Sequence, residues 1–446
     1  MITPKFKEDT KKIGSHLDYY IMGIDIDYIM CNNAQQKLKS PCTLLRIYVI
    51  VVLKLFIGEI MLSFVPSTKL EKELKELHEF FVSTSKLLEN ITSDEARYLN
   101  RFALISNVGS STRIENAILT DNEIEWVDTT LRKDDKITAF EGKKRIILDK
   151  LLKDRERSLE EVVGCRQVLS MIYIQAKEFF PLSEVIIRGL HHDLLRYYSA
   201  ACTYAGSYKK TPNRVISFNH ETNKQQVVLD PAPPGIITET SMVELIKWYN
   251  NLIHNHPWPI LVASEFVFRF LAIHPFQDGN GRLGRALFIL ALLQSDDRHL
   301  SKIAPYMAVD RHIEQNRALY YSVLHQCADG KFQSNTLNYK LEPLSWFFVR
   351  IIKSTLNDIP LYINRYKDFK SFSESTIEVL NCFKDHPEKR LKISEIASQV
   401  HIPRRTIQYA LKKLCDNQFI QRLGRGAGTR YQLIFYNIFH MRLNTV

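Results

Sequence analysis

Residues 274 to 285 read His274-Pro275-Phe276-Gln277-Asp278-Gly279-Asn280-Gly281-Arg282-Leu283-Gly284-Arg285. Ahead of them Phe266, Phe270 and Ile273 recur at helical spacing, and Pro275 ends that helix because it has no N–H to continue the ladder. Gly279-Asn280-Gly281 then supplies backbone with little side-chain obstruction. A second helix runs on through Ala286, Leu287 and Phe288.

Arg282 and Arg285, three apart, share one face at the start of that second helix. A glycine-bracketed helix N-terminus with free N–H groups and two arginines is an anion site, and a triphosphate is its natural guest. Asp278 adds a hard oxygen ligand suited to Mg2+, which takes one or two carboxylates together with phosphate oxygens and retained waters. His274, with an ordinary pKa of about 6.5, can be a neutral imidazole and accept a proton from an attacking hydroxyl. Each fragment alone has an ordinary reading, as a cap, a turn or a solvated arginine face. Together, within twelve residues, they describe transfer from a nucleotide to an alcohol.

Around this string the sequence is mostly helical in pattern. From Lys69, Leu70, Leu74, Leu77 and Phe80 or Phe81 recur every three or four residues among Lys and Glu, and most of the chain to Lys370 reads the same way. The exception runs from Gly206 to Gly235. There Val215, Ser217 and Phe218, then Val227, Val228 and Leu229, flank a polar Asn219 to Lys224, a β-hairpin ended by Pro231, Pro233 and Pro234.

After Lys370 the pattern changes again. Short helices over Glu374 to Phe383 and Ser394 to Val400, a break at His401-Ile402-Pro403 and a helix over Arg404 to Cys415 precede Phe419 to Leu423, a Gly424 to Gly428 turn and Arg430 to Leu433. This order resembles a winged helix-turn-helix. Its expected core is Ile393, Ile396, Val400, Ile407, Leu411 and Leu414, with Ala397 allowing a close helix crossing. Arg404, Arg405, Thr406 and Gln408 open the exposed third helix, suited to the DNA major groove, and Arg422, Arg425 and Arg430 on the wing suit phosphates or the minor groove. A protein-docking role is the alternative for this module.

The composition fits. With 446 residues, 45% hydrophobic and 24% charged, the chain is a folded globular protein of several domains, which excludes wholesale disorder. Its net charge of +11 is uneven: Pro403 to Val446 holds eight Lys and Arg against one acidic residue, while Glu71 to Ile402 sums to +1. The basic excess therefore speaks for the tail's partner. The seven scattered cysteines, with no C-x-x-C pair, fit a reducing compartment, and a cytoplasmic location is expected. No membrane partner is expected. The most apolar stretch, Thr43 to Val65, carries Arg46, Lys54 and Glu59, and one charge at the centre of a span costs roughly 2.5–3.5 kcal/mol. The polar first twelve residues do not read as a secretory leader.

The string from His274 resembles the signature of the Fic/Doc family, His-Pro-Phe-x-Asp/Glu-Gly-Asn-Gly/Lys-Arg-x-x-Arg, and matches it at every fixed position. The resemblance extends over most of Lys69 to Leu433. It implies a mainly α fold: a Fic-type helical bundle with a β-hairpin flap, followed here by the C-terminal winged helix-turn-helix. It also implies an Mg2+-dependent protein adenylyltransferase that moves AMP from ATP to a Ser, Thr or Tyr hydroxyl of a target protein. His274 would be the base and Asp278 the Mg2+ ligand. The segment Gly279, Asn280, Gly281, Arg282, Leu283, Gly284 and Arg285 would bind ATP, with Gly279 to Gly281 as the anion hole and Arg285 on the γ-phosphate. Doc-type phosphotransferases have Lys where this chain has Gly281, which argues against γ-phosphoryl transfer.

Three further parts are implied by the same resemblance. Gly206, Ser207 and Tyr208 open the hairpin, and with Val215 and Ile216 would form the flap that clamps a target by strand addition; a plain surface hairpin is the alternative. Tyr320 and Tyr321 resemble paired tyrosines beside the nucleoside, or are a core aromatic pair. Ser110-Ser111-Thr112-Arg113-Ile114-Glu115-Asn116 matches the inhibitory motif Ser/Thr-x-x-x-Glu-Gly/Asn, in which Ser111, Glu115 and Asn116 hold the fixed positions and Glu115 would occupy the place of the γ-phosphate on Arg285. Such an inhibitory helix can act within one chain or across a homodimer. Two other functions stay open: removal of AMP at the same site, and a DNA-binding regulator whose Fic core senses nucleotide.

The expected organisation is a divergent extension over residues 1–66, for which Met61 is an alternative start, then a helical inhibitory region over 67–170. The catalytic core over 171–342, a connecting helix over 343–371 and the winged module over 372–446 complete it.

Overall fold

The computed structural model describes residues 61–132, 139–151, 155–219 and 224–435. Residues 1–60, which hold most of the expected extension, lie outside these.

Ser67 caps α1 (Thr68–Glu89) by accepting the Leu70 N–H, and the stripe Leu70, Leu74, Leu77 and Phe81 turns inward. A reciprocal capping box between Thr92 and Glu95 starts α2 (Ser93–Ile114). Every residue of α2 from Phe102 to Thr112 is buried, so α2 runs through the interior. Its polar members need internal partners. Asn107 has three: Nδ2 donates to the Tyr173 hydroxyl and the Met307 carbonyl, and Oδ1 accepts the Asp310 N–H, each at 2.9 Å.

Next come α3 (Asp121–Arg132), α4 (Ala139–Leu151), α5 (Glu156–Gln175) and α6 (Glu184–Leu195), then the antiparallel strands β1 (Val215–Asn219) and β2 (Lys224–Leu229). After α7 (Ile236–Leu252), α8 (Pro259–Ile273) begins with Pro259 in its first turn, where a missing N–H costs nothing. All of α8 is buried, as is nearly all of α9 (Asn280–Gln294). A helix buried on every face belongs at the centre of a bundle, and these two form that centre. The short α10 (Arg298–Ile303) and α11 (Val309–Gln315), then α12 (Arg317–Ala328) and α13 (Glu342–Lys370), close around them.

A second hydrophobic cluster is built by α14 (Glu374–Asp385), α15 (Ile393–Ala397), α16 (Arg404–Asp416) and the antiparallel pair β3 (Ile420–Leu423) and β4 (Arg430–Leu433). It rests on the first through α13, whose Arg365 lies 4.0 Å over the Phe419 ring and donates to the Gln418 carbonyl. It also touches α2 and α3. Phe102 stacks on Phe435 with centroids 4.8 Å apart, and Asn122 Nδ2 donates to the Leu433 carbonyl.

The fold is mainly helical. Among the described residues no helix is long and apolar enough to cross a membrane. Several expected details differ. Residues 61–66, expected within the divergent extension, join the core: the Met61 carbonyl accepts the Trp248 indole N–H, and Ser63 bonds the buried Glu265 carboxylate. The boundary expected at 170/171 falls inside α5, because that helix is one continuous packed element. In the second cluster Ala397 is exposed, and the small buried residue is Ala410 at 1% exposure. Gly206, Ser207 and Tyr208 do not open the strand pair, which starts at Val215. They are drawn away because Tyr208 bridges Phe276 in the site loop.

Candidate active site

The turn from α8 into α9 holds the site. His274 ends α8 in the left-handed conformation, φ 51° and ψ 58°, which a non-glycine residue adopts only where its surroundings hold it. Its Nδ1 lies 3.2 Å from the Leu271 carbonyl. A carbonyl only accepts, so Nδ1 carries the proton and Nε2 keeps its lone pair. Burial, and then the charge of Lys209, push the imidazole pKa down to about 4. Near neutral pH it is a free base.

Asp278 Oδ1 accepts the Gly279 N–H at 2.6 Å. Gly279, at φ 79°, makes the left-handed start of α9. Asn280 turns its buried side chain back into the loop, accepting from Phe276 N–H at 2.9 Å and donating to the Phe276 carbonyl at 2.7 Å. It shapes the loop, while the backbone of Gly279 to Gly281 faces the cleft. Leu283 and Gly284 point into the bundle: Leu283 is fully buried, and Gly284 lets Leu271 approach closely.

Both arginines are buried at 2% exposure. Arg282 lies 3.5 Å from Asp278 and 3.7 Å from Glu161, with Nε and Nη1 lacking any hydrogen-bond partner. A buried guanidinium short of acceptors is suited to an anion. Arg285 is occupied. Its Nε donates to Ser111 Oγ at 2.9 Å, and its Nη2 donates to the Ser111 carbonyl at 2.8 Å and to Glu115 Oε1 at 2.9 Å.

Glu115 caps the C-terminal end of α2. Burial opposes its charge, but Arg285 and then Arg282 more than offset that, holding the carboxyl below the usual carboxylate range. Asn116 follows at φ 72°, the left-handed position at which helices end and which Asn tolerates better than most residues. Its Oδ1 accepts from Arg317 at 3.1 Å.

These residues share one cleft. His274, Asp278, the Gly279 to Gly281 backbone, both arginines and Glu115 line it together with Tyr320, Tyr321, Val215 and Ile216. Tyr320 is a core aromatic, 1% exposed and packed 5.6 Å from Phe347, while Tyr321 is half-buried beneath Arg317. The C-terminal cations are elsewhere, on the second cluster. Arg404, Arg405, Arg422 and Arg425 are exposed, whereas Arg430 is half-buried on β4, on the face opposite the buried Tyr431 and Leu433.

Residues 181–292 match the Fic/DOC family. The chain contains a Fic domain. Fic domains are generally transferases, and the cleft just described lies mainly within the matched segment. Three solved structures that resemble this chain are a Fic family protein from Desulfovibrio desulfuricans G20, a Fic domain containing signaling protein from Bacteroides thetaiotaomicron VPI-5482, and Fic-1 from C. elegans. The first has 20% identity and a TM-score of 0.49, over 84% of this chain and 99% of its own. The second has 24% and 0.46, over 65% and 96%, and the third 19% and 0.46, over 67% and 73%.

Two residues that support the cleft were not singled out from the sequence. His191 on α6, fully buried and stacked 3.8 Å from Phe276, accepts the Gly206 N–H and donates to the Asp278 carbonyl. Burial pushes its pKa down to about 4. Arg113, two residues before Glu115, donates to Glu314 at 2.7 and 2.9 Å and to Asp121 at 2.7 Å. Neither carries a local signal: a histidine in an amphipathic helix and an arginine at a helix end are commonplace.

Proposed function

We propose that this chain is an autoinhibited, Mg2+-dependent protein adenylyltransferase that moves AMP from ATP to a Ser, Thr or Tyr hydroxyl of a target protein. The observation that carries the reading is the pairing of Glu115 with Arg285 at 2.9 Å, over the glycine-bracketed start of α9 and in one cleft with a neutral His274. With Glu115 displaced, the α9 N-terminus and both arginines are open to phosphates. His274 Nε2 takes the proton of the acceptor hydroxyl as its oxygen attacks the α-phosphorus, and the bond to pyrophosphate breaks. Asp278 would hold Mg2+. Among the described residues no group of three His, Cys, Asp or Glu gathers there, so the ion would rely on phosphate oxygens, as Mg2+ commonly does. When bound, it would neutralise charge on the phosphates. The bare Gly281 leaves room for an α-phosphate where a lysine would fill the cleft.

Glu115 retains 34% exposure toward the cleft, which favours a second use of the same site. It could orient a water for removal of AMP. The exposed Arg404, Arg405, Arg422 and Arg425 support a nucleic-acid role for the C-terminal unit, as a winged helix-turn-helix.

The test is to incubate Glu115→Gly protein with each of four nucleotides labelled at the α-phosphate, alone and with His274→Ala added. Labelling by ATP that vanishes without His274 supports the transferase. A cellular phenotype that persists in His274→Ala points to the regulator.

A further inference from the structure

Helix ends leave their last carbonyls without intrahelical partners, and negative partial charge gathers there. The last carbonyl of α8, that of Ile273, and the carbonyls of the loop that follows are taken up by two residues from the segment before β1. Lys209 Nζ donates to the Ile273 carbonyl at 3.0 Å and to Asn213 Oδ1 at 2.9 Å, and the Lys209 backbone N–H donates to the Pro275 carbonyl at 2.8 Å. Asn213 Nδ2 in turn donates to the Phe276 carbonyl at 2.8 Å. Lys209 is 3% exposed, and no carboxylate pairs with it among the described residues. A buried ammonium is costly, so its location needs a reason.

We propose that Lys209 is a positioning residue for His274, a buried cation that caps α8 and holds the imidazole in its left-handed turn toward the cleft. The inference rests on the reading of His274 as the base. A cation beside the ring also disfavours the imidazolium, so the base stays free. The charged groups around His274 are Lys209 from the segment before β1, Glu115 from the end of α2 and Asp278 from the loop; the two carboxylates favour the protonated ring and Lys209 opposes it. Lys209 is itself held near its charge boundary, with burial pushing its pKa down to about 8.

The experiment compares Lys209→Met, Lys209→Arg and Asn213→Ala in the full chain carrying Glu115→Gly. Titration of His274 is followed by NMR, which requires no activity, and kcat and KM for ATP are measured beside it. In Lys209→Met the imidazole should titrate higher by about one pKa unit and kcat should fall about tenfold or more with KM little changed. Lys209→Arg should restore most of both. An unaltered His274 titration in folded Lys209→Met overturns the proposal. Should Lys209→Met not fold, Asn213→Ala decides: a kcat equal to that of the parent overturns the proposal, and a lowered kcat with KM retained upholds it. If Glu115→Gly shows no labelling at all, the transferase reading fails, and the NMR titration still judges Lys209.

Discussion

Glu115 Oε1 stands where a β-carbon on Gly281 would intrude. The carboxylate therefore lies directly on the backbone at the start of α9, and with Arg285 at 2.9 Å it behaves as the anion of its own anion site. The proposed inhibition then needs no long-range device, because one negative group excludes another from the same donors.

This contact predicts a coupling. Gly281→Ala should destabilise the protein by about 1–3 kcal/mol through overpacking against Glu115, and by much less when Glu115→Gly is already present. Denaturant unfolding of the four proteins in the cycle measures it. Equal costs in both backgrounds would mean that the two residues do not meet.

Arg113 ties the turn that presents Glu115 to Glu314 on α11 and Asp121 on α3. Arg113→Ala should lower stability by about 2 kcal/mol and raise self-labelling above the parent, to a level below that of Glu115→Gly. Labelling at or under the parental level in a folded Arg113→Ala protein would show that the turn holds its place without this latch.

The pH response follows from two histidines. His274 and His191 both titrate at about 4 in the folded protein, below the unfolded value of about 6.5. Between those limits the unfolded chain binds more protons than the native one, so stability rises with pH across that window and is lost as pH falls from about 6.5 toward 4. Each contributes on the order of 3 kcal/mol. Unfolding free energies at several pH values should show a slope that shrinks in His191→Asn. An unchanged slope would place the His191 transition elsewhere.

For the C-terminal unit, Arg404→Ala and Arg405→Ala should each weaken binding to duplex DNA and reduce the salt slope by about one. Fluorescence anisotropy across a salt series reads this. Salt-independent association, or none, would favour a protein-docking role.

Much of this was legible in the sequence because the site is local. The stretch from His274 to Arg285 builds a helix end, a loop and a helix start from neighbours in the chain, and the hairpin and helical periods near it are equally local. What stayed hidden is what packing decides. Lys209 directly follows the expected flap residue Tyr208, yet its bond to the Ile273 carbonyl depends on how the segment folds back over α8. His191 and Arg113 act across 87 and 201 residues of chain, and no spacing rule reaches that far. Ala397 departs from expectation because a small residue in a short helix suggests a crossing, whereas the buried alanine of this cluster is Ala410, on the inward face of the longer, strongly amphipathic α16.

The most direct test of the central claim replaces Glu115 by Gly and follows α-labelled ATP onto the protein. The account predicts labelling raised at least about tenfold over the parent and abolished by His274→Ala. Labelling that stays at or below the parental level in a folded Glu115→Gly protein would contradict it.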